Sequence, residues 1–140
     1  MYQTILIPVS GKNGLSRTQT VLHSALPLAG GSIVLLHIFE PISLILGGQN
    51  HASLLADAKA KGQTLLNTIG VDLEKKRIPY RCRVEEGTVA ETIVRVSHEE
   101  NADLIAMFTD GRDGLQDMML GSITERVLRN TDTTLLAVRH

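Results

Sequence analysis

The sequence predicts a doubly wound α/β domain, in which a five-stranded parallel sheet carries helices on both faces. Three observations predict it. Apolar runs at residues 4–9, 33–39 and 102–108 lack polar alternation, so each reads as a strand buried on both faces. The long stretches between strands carry helical patterning, so none is an unexplained loop. Strand and helix alternate along the whole chain, and that order calls for crossover connections between parallel strands. A length of 140 residues suits one domain, 1–140, able to bury about two thirds of the surface of its unfolded chain.

Each element follows in turn. Ile5, Leu6, Ile7 and Val9 form the first strand, and the polar stretch 10–14 leaves it as a loop. Ser16 with Gln19 reads as a capping box opening a helix to about Ala29, which Pro27 kinks or stops. Residues 33–39 are the second strand. The apolar segment 42–46 follows; covering the cleft and meeting a partner protein are two readings of it, and the favoured one packs it on a long helix from about Ala52 to Lys76. Leu54, Ala58, Leu65, Ile69 and Leu73 share one face of that helix. In the third strand Tyr80, Cys82 and Val84 alternate with Arg81, Arg83 and Glu85, the pattern of an edge strand with one wet face. Thr88 with Glu91 opens a helix to about Glu100, residues 102–108 form the fourth strand, and 109–120 form a loop of Gly, Asp and Met. Ser122 with Glu125 starts a last helix to about Arg129, before a final strand from Thr133 to Val138.

Composition narrows the function. The formal net charge is −1, basic clusters are short and aromatic residues are few, so a nucleic-acid partner is not expected. No apolar run approaches the ~20 residues that span a bilayer. Residues 1–4 lack a basic region and Pro8 ends the first apolar run, so the N-terminus reads as a strand and not as a signal peptide. The lone Cys82 fits a reducing, cytoplasmic setting and reads as an inert, buried thiol. His23, His51, His98 and His140 lack metal-ligand spacing, and His37 reads as a hydrogen-bonded core or cleft-edge residue. No acid–base pair or nucleophile triad stands out, so the sequence leans away from an enzyme.

In open α/β sheets ligands bind beyond the carboxyl ends of the strands, where strand order reverses. Those ends are Pro8-Val9-Ser10, Ile38-Phe39-Glu40 and Phe108-Thr109-Asp110-Gly111. The Gly121-Ser122-Ile123 turn opens a helix toward the same cleft, and its free N–H groups attract anions. The competing reading of Ser122 is a plain N-cap, and of Gly121 a plain turn residue.

These residues resemble the universal stress protein family across essentially the whole chain. The resemblance is carried by Ile5-Leu6-Ile7-Pro8-Val9, Leu35-Leu36-His37-Ile38, Ala102-Asp103-Leu104-Ile105 and the tail Leu120-Gly121-Ser122-Ile123-Thr124-Glu125-Arg126-Val127-Leu128. In the tail, nine residues separate Gly111 from Gly121, and Ser122 follows, as in the family's nucleotide motif. The resemblance implies a Rossmann-like sheet of strand order 3-2-1-4-5. It also implies ATP or AMP, with Mg²⁺, at the sheet's carboxyl edge. The nucleotide would meet Pro8, Val9, Ser10, Ile38, Met107, Phe108, Asp110, Gly111, Gly121, Ser122 and Ile123. The adenine would use the backbone at Val9 and Ile38, and the phosphates Gly111 and the Gly121–Ile123 turn. A homodimer through the last strand, Thr133 to Val138, is implied too, and that strand is apolar enough to invite pairing at a sheet edge.

Three departures set an alternative beside this. Phe108 replaces the motif's first glycine near the ribose, Ser10 replaces the Asp that accepts ribose hydroxyls, and Asp110 stands where the family often has His. Asp113 and Asp117 add further negative charge near the phosphates. The alternative is a nucleotide-free member, a protein-interaction module whose cleft Phe108 fills. A weak ATP hydrolase is the third reading, although residues 10–14 lack P-loop spacing. In the leading reading a nucleotide ordering the 109–120 loop changes the surface seen by an unidentified protein partner.

Overall fold

The computed structural model describes residues 1–11, 13–42, 48–109 and 120–139. The strands are β1 (Tyr2–Pro8), β2 (Ala29–Phe39), β3 (Tyr80–Glu86), β4 (Leu104–Phe108) and β5 (Thr134–Val138). The helices are α1 (Gly14–Ala25), α2 (Gly48–Lys75), α3 (Val89–Glu99) and α4 (Ser122–Asn130). The five strands form one parallel sheet of order β3-β2-β1-β4-β5. The chain therefore builds outward from β1 to β3, then returns to the other side of β1 with β4. That reversal lies between β1 and β4.

Successive strand residues point to opposite faces, and the core divides accordingly. Ile5, Ile7, Leu35 and Ala106 pack with Val21 of α1 and with Leu66, Ile69 and Leu73 of α2. Leu6, Val34, Leu36 and Ile105 pack on the other face with Ile93 and Val96 of α3 and Val127 of α4. Ile5, Leu6, Ile7, Leu66 and Leu73 are fully buried, each stabilising the fold by about 1.5–3 kcal/mol relative to exposure.

Several expected details differ. None of the three capping-box patterns makes a side-chain cap. Asn13, in the left-handed region at φ 55°, caps α1 two residues after the loop's Gly11. Ser16 lies inside α1, and its hydroxyl donates to the Asn13 carbonyl at 3.3 Å. Thr88 does occupy the N-cap position of α3, whereas Gly121 takes that position in α4 and Ser122 is the first helical residue. Helix α1 stops at Ala25, and a 3₁₀ turn at Leu26–Leu28 around Pro27 feeds β2, which begins at Ala29. In α2 the buried residues are Gly62, Leu66, Ile69, Gly70 and Leu73, and residues 50–61 bury no side chain, so Leu54 is 41 % exposed. Residues 43–46 of the apolar segment 42–46 and residues 110–119 of the loop 109–120, with Asp110 and Gly111, lie outside the described residues.

Strand β3 is an edge, as its alternation requires, but its polar face is not left to water. Arg83 pairs with Glu99 at 2.8 Å and with Glu85 and Glu100 at 3.2 Å. Arg95 of α3 pairs with Glu85 at 3.0 Å and Glu99 at 2.9 Å, and Arg81 bonds Glu100. Helix α3 thus lays a charge-matched face on the edge strand. The inner face carries half-buried Cys82, whose thiol burial pushes up against a lowering hydrogen bond from Gln63. Beside it the Tyr80 hydroxyl donates to Glu74 at 2.7 Å, which pushes it up to about 12.

Two local constraints hold β1 between its neighbours. At its start β1 advances two residues, Tyr2 to Thr4, while β2 advances three, Ala29 to Ser32. The extra residue makes a bulge where the chains approach closely, and a Cβ on Gly31 would sit 2.1 Å from the Gln3 carbonyl oxygen. On the other side the Asp103 carboxylate accepts the Gln3 and Thr4 N–H groups, both at 2.9 Å, and the Asp103 N–H donates to the Thr4 carbonyl at 3.0 Å.

Gly31→Ala is expected to cost about 3 kcal/mol, because the clash is with backbone and not with a mobile side chain. Gly30→Ala is expected to cost less than Gly31→Ala, since its closest contact, Met1 Cβ at 2.8 Å, belongs to a residue outside β1 that is 78 % exposed and can shift, and the Gln3 amide follows at 3.2 Å. Urea unfolding of both variants checks the contrast. A pH series checks the Asp103 clamp. Burial raises its carboxyl, but the Gln3 and Thr4 N–H donors outweigh this and hold it below its ordinary 3.8. A carboxyl lowered by folding stabilises above its unfolded value and loses that contribution as pH falls through the lower, folded value. The wild type should therefore lose stability on acidification below pH 3.8, and Asp103→Asn should flatten that part of the curve.

Candidate functional site

The β1/β4 reversal opens a cleft at the carboxyl ends of the strands, as sheet topology requires. It holds a cavity of about 590 Å³, within the range of small-molecule sites. Pro8, Val9, Leu36, Ile38, Met107 and Phe108 make its floor, and Ser10 and Gly11 close the end of β1. Arg17, Thr18 and Val21 of α1 form one wall. Val89 and Ile93 of α3, with Gly121 to Glu125 at the start of α4, form the other. The structure thus brings Pro8, Val9, Ser10, Ile38, Met107, Phe108, Gly121, Ser122 and Ile123 to a single cavity.

Backbone hydrogen bonding decides what the floor offers. The Val9 N–H donates to the Leu36 carbonyl at 2.7 Å. The ring of His37 takes the Val9 carbonyl through Nδ1 at 2.8 Å, so this nitrogen carries the proton. Both Val9 backbone groups are therefore engaged within the protein, and His37 has the satisfied position expected of it. Ile38 differs. Pairing of β1 with β2 ends at Pro8–Leu36, and the Phe39 carbonyl accepts from Gly87 on the β3 side at 3.0 Å. Backbone groups of successive strand residues face alternate neighbours. Those of Ile38 accordingly face the space beyond the end of β1, which is the cleft.

The α4 wall offers donors. Its first helical bond runs from the Glu125 N–H to the Gly121 carbonyl at 2.9 Å, which leaves the N–H groups of Ser122, Ile123 and Thr124 without helical partners. No side chain among the described residues caps them. Thr124 is 2 % exposed, lines the cavity, and its hydroxyl has no hydrogen-bond partner among the described residues. A buried hydroxyl in that state costs stability until something bonds it. Gly121 has φ −61°, a conformation open to any residue, so the turn itself does not demand glycine. Its N–H donates to Thr109 Oγ1 at 2.9 Å, and the buried Thr109 N–H donates to the Val138 carbonyl at 2.9 Å.

Phe108 packs with the α1-side core and carries the Arg17 guanidinium 5.0 Å from its ring centroid. Its ring forms part of the cavity boundary, and the 590 Å³ space remains beside it. Arg17 and Thr18 escape the sequence reading, as do the roles of the Thr109 and Thr124 hydroxyls. The helical spacing of Gly14, Thr18 and Val21 marks the inner face of α1, but a helix started at Ser16 hides it. Among the described residues, no cluster of three or more His, Cys, Asp or Glu is arranged to hold a metal ion, and no helix is long and apolar enough to cross a membrane.

Comparison with known proteins places this architecture. A universal stress protein of Methanocaldococcus jannaschii is 25 % identical over 159 aligned positions, covering 99 % of this chain and 96 % of the relative. A second from the same organism is 35 % identical over 81 residues, 58 % of this chain, and there the match spans about half (48 %) of the relative's length. Among solved structures, a hypothetical protein whose biochemical function was assigned from its structure superposes with a TM-score of 0.81 at 22 % identity, covering 100 % of this chain and 97 % of the other. A universal stress protein in complex with cAMP superposes at 0.67 with 17 % identity, covering 99 % and 97 % of the two chains. An Arabidopsis thaliana family protein with AMP bound also superposes at 0.67, with 13 % identity, covering 97 % and 90 %. The model of the universal stress protein family matches residues 1–139, and with the parallel order β3-β2-β1-β4-β5 and the cleft at its reversal, the chain belongs to that family.

Proposed function

We propose that the cleft binds an adenine nucleotide, ATP or AMP, and that the protein works as a small cytoplasmic regulatory dimer and not as an enzyme. One observation carries the binding proposal. A single cavity joins two complementary stations, the backbone edge at Ile38 and the three free N–H groups at the start of α4 beside the buried Thr124 hydroxyl. The first suits the donor–acceptor edge of an adenine, held between Ile38 and Met107. The second suits a phosphate, through backbone donors and the helix dipole. Mg²⁺ would accompany a triphosphate as its charge partner. Structural relatives with cAMP and AMP bound support the ligand class.

Titration calorimetry of nucleotide-stripped protein with AMP, and with ATP and Mg²⁺, tests this. Binding with a dissociation constant of about 1–100 μM is expected, and Thr124→Val should weaken it about tenfold by removing the hydroxyl. Absence of binding at millimolar nucleotide would overturn the reading and leave an interaction module.

The dimer proposal rests on β5. Among the described residues it pairs with β4 alone, so its outer backbone edge has no strand partner there. Leu135 and Leu136 are half-buried and Ala137 is exposed, an apolar edge with none of the charge that usually blocks strand addition. Light scattering should return twice the mass of one chain at micromolar concentration. Ala137→Lys should return the mass of one chain without unfolding it.

A further inference from the structure

Polarity is segregated along one wall of the cleft. On the α3 side the described lining is Leu36, Ile38, Val89, Ile93 and Met107, without a polar side chain. All five belong to the core cluster under α3, so the apolar core surfaces there into the cavity. Helix α4 begins beside it, where Arg126 reaches Glu91 in the first turn of α3 at 3.7 Å. The donors of this wall gather at that start. They are the N–H groups of Ser122, Ile123 and Thr124, which lack helical partners, and the Thr124 hydroxyl, which is 2 % exposed and unpartnered among the described residues. The charged side chains of the described lining stand apart from this pair of features. Arg17 lies on the α1 wall against the Phe108 ring, and Glu125 pairs with Arg129 at 2.6 Å.

A ligand that uses both parts of this wall has a compact anionic head and an apolar body. The start of α4 recognises the head through its N–H groups and dipole, and a phosphate presents oxygens to several donors at once. The body meets aliphatic and thioether groups and no aromatic ring on the α3 side. On the adjoining floor the Val9 N–H bonds the Leu36 carbonyl and the Val9 carbonyl bonds His37, so neither calls for a polar ligand atom. An alkyl chain asks only for removal from water, and each methylene fully buried raises affinity about fourfold.

We propose that the cleft also binds a soluble, single-chain phosphate monoester of an apolar alcohol, with its head at the start of α4 and its chain against the α3-side core. The proposal rests on the anion half of the nucleotide reading and not on the adenine contacts. The test is calorimetric titration of the whole chain with inorganic phosphate and with butyl, hexyl and octyl phosphate, all below micelle-forming concentration. Octyl phosphate should bind one per chain, at least about tenfold more tightly than butyl phosphate, and inorganic phosphate should be weaker than either. Thr124→Val should weaken every monoester by a similar factor, about tenfold, because it removes a head contact. Val89→Thr, isosteric and at a half-buried position, should weaken octyl phosphate about threefold or more and leave inorganic phosphate unchanged. AMP, where it binds, should displace octyl phosphate.

An affinity that rises less than tenfold from butyl to octyl would overturn the chain site. Octanol binding as tightly as octyl phosphate would overturn the anchored head, and so would binding of vesicles containing phosphatidic acid without binding of monomeric octyl phosphate. Independent binding of AMP and octyl phosphate would overturn the shared station. Binding of octyl phosphate with no binding of AMP would uphold this proposal while the nucleotide reading fell.

Discussion

Everything in this fold depends on β1 being held from both sides. It is the strand from which the chain builds outward to β3 and to which it returns with β4. The β1–β2 pairing is long, running from Tyr2–Ala29 to Pro8–Leu36, while the β1–β4 register covers only Ile5–Leu104 and Leu6–Ile105. So short a ladder needs an anchor, and the Asp103 carboxylate supplies it with two charge-assisted bonds to the start of β1. Locking the strands at their amino ends leaves their carboxyl ends free to part, and a cleft at that end follows. The bulge around Gly31 serves the same strand by letting β2 approach it without breaking the register farther along.

The inner strands are legible in the sequence because they lie between two helical layers and must be apolar on successive residues, and β3 is legible because its alternation marks an edge. Phase and termini are less so. A capping-box pattern needs only two residue types three apart, whereas the actual start of α1 turns on the left-handed Asn13 and that of α4 on Gly121. The start of β2 escapes because Gly30 and Gly31 have poor strand propensity, and their role is a bulge against Gln3. At the ends of α2 and α3, the left-handed positions fall on Arg77 and Asn101. Asparagine tolerates that conformation and can be read as a stop, but arginine gives no such signal. Of the apolar face expected of α2, Leu65, Ile69 and Leu73 pack on the core and Leu54 and Ala58 do not, because only the later turns of the helix reach the sheet.

The site divides along the same line. Residues at strand ends and at the start of α4 follow from topology, which places them whatever their side chains. Thr109 does not, because its hydroxyl bonds a backbone N–H twelve residues away, across a segment whose path no periodicity sets. Its place has a consequence for the whole molecule. One buried residue bonds the first residue of the α4 cap through its side chain and the last residue of β5 through its backbone. The donor end of the cleft and the exposed edge strand are thus tied to the same point.

Arg17 and Phe108 show how a departure from a family pattern can be read physically. A glycine replaced by a large ring looks like obstruction when the sequence is taken position by position. In three dimensions the ring lies with the α1-side core and presents its face to a guanidinium, at a separation where the pair attracts. The ring therefore bounds the cavity without filling it, because its packing on the α1 side draws it to the wall.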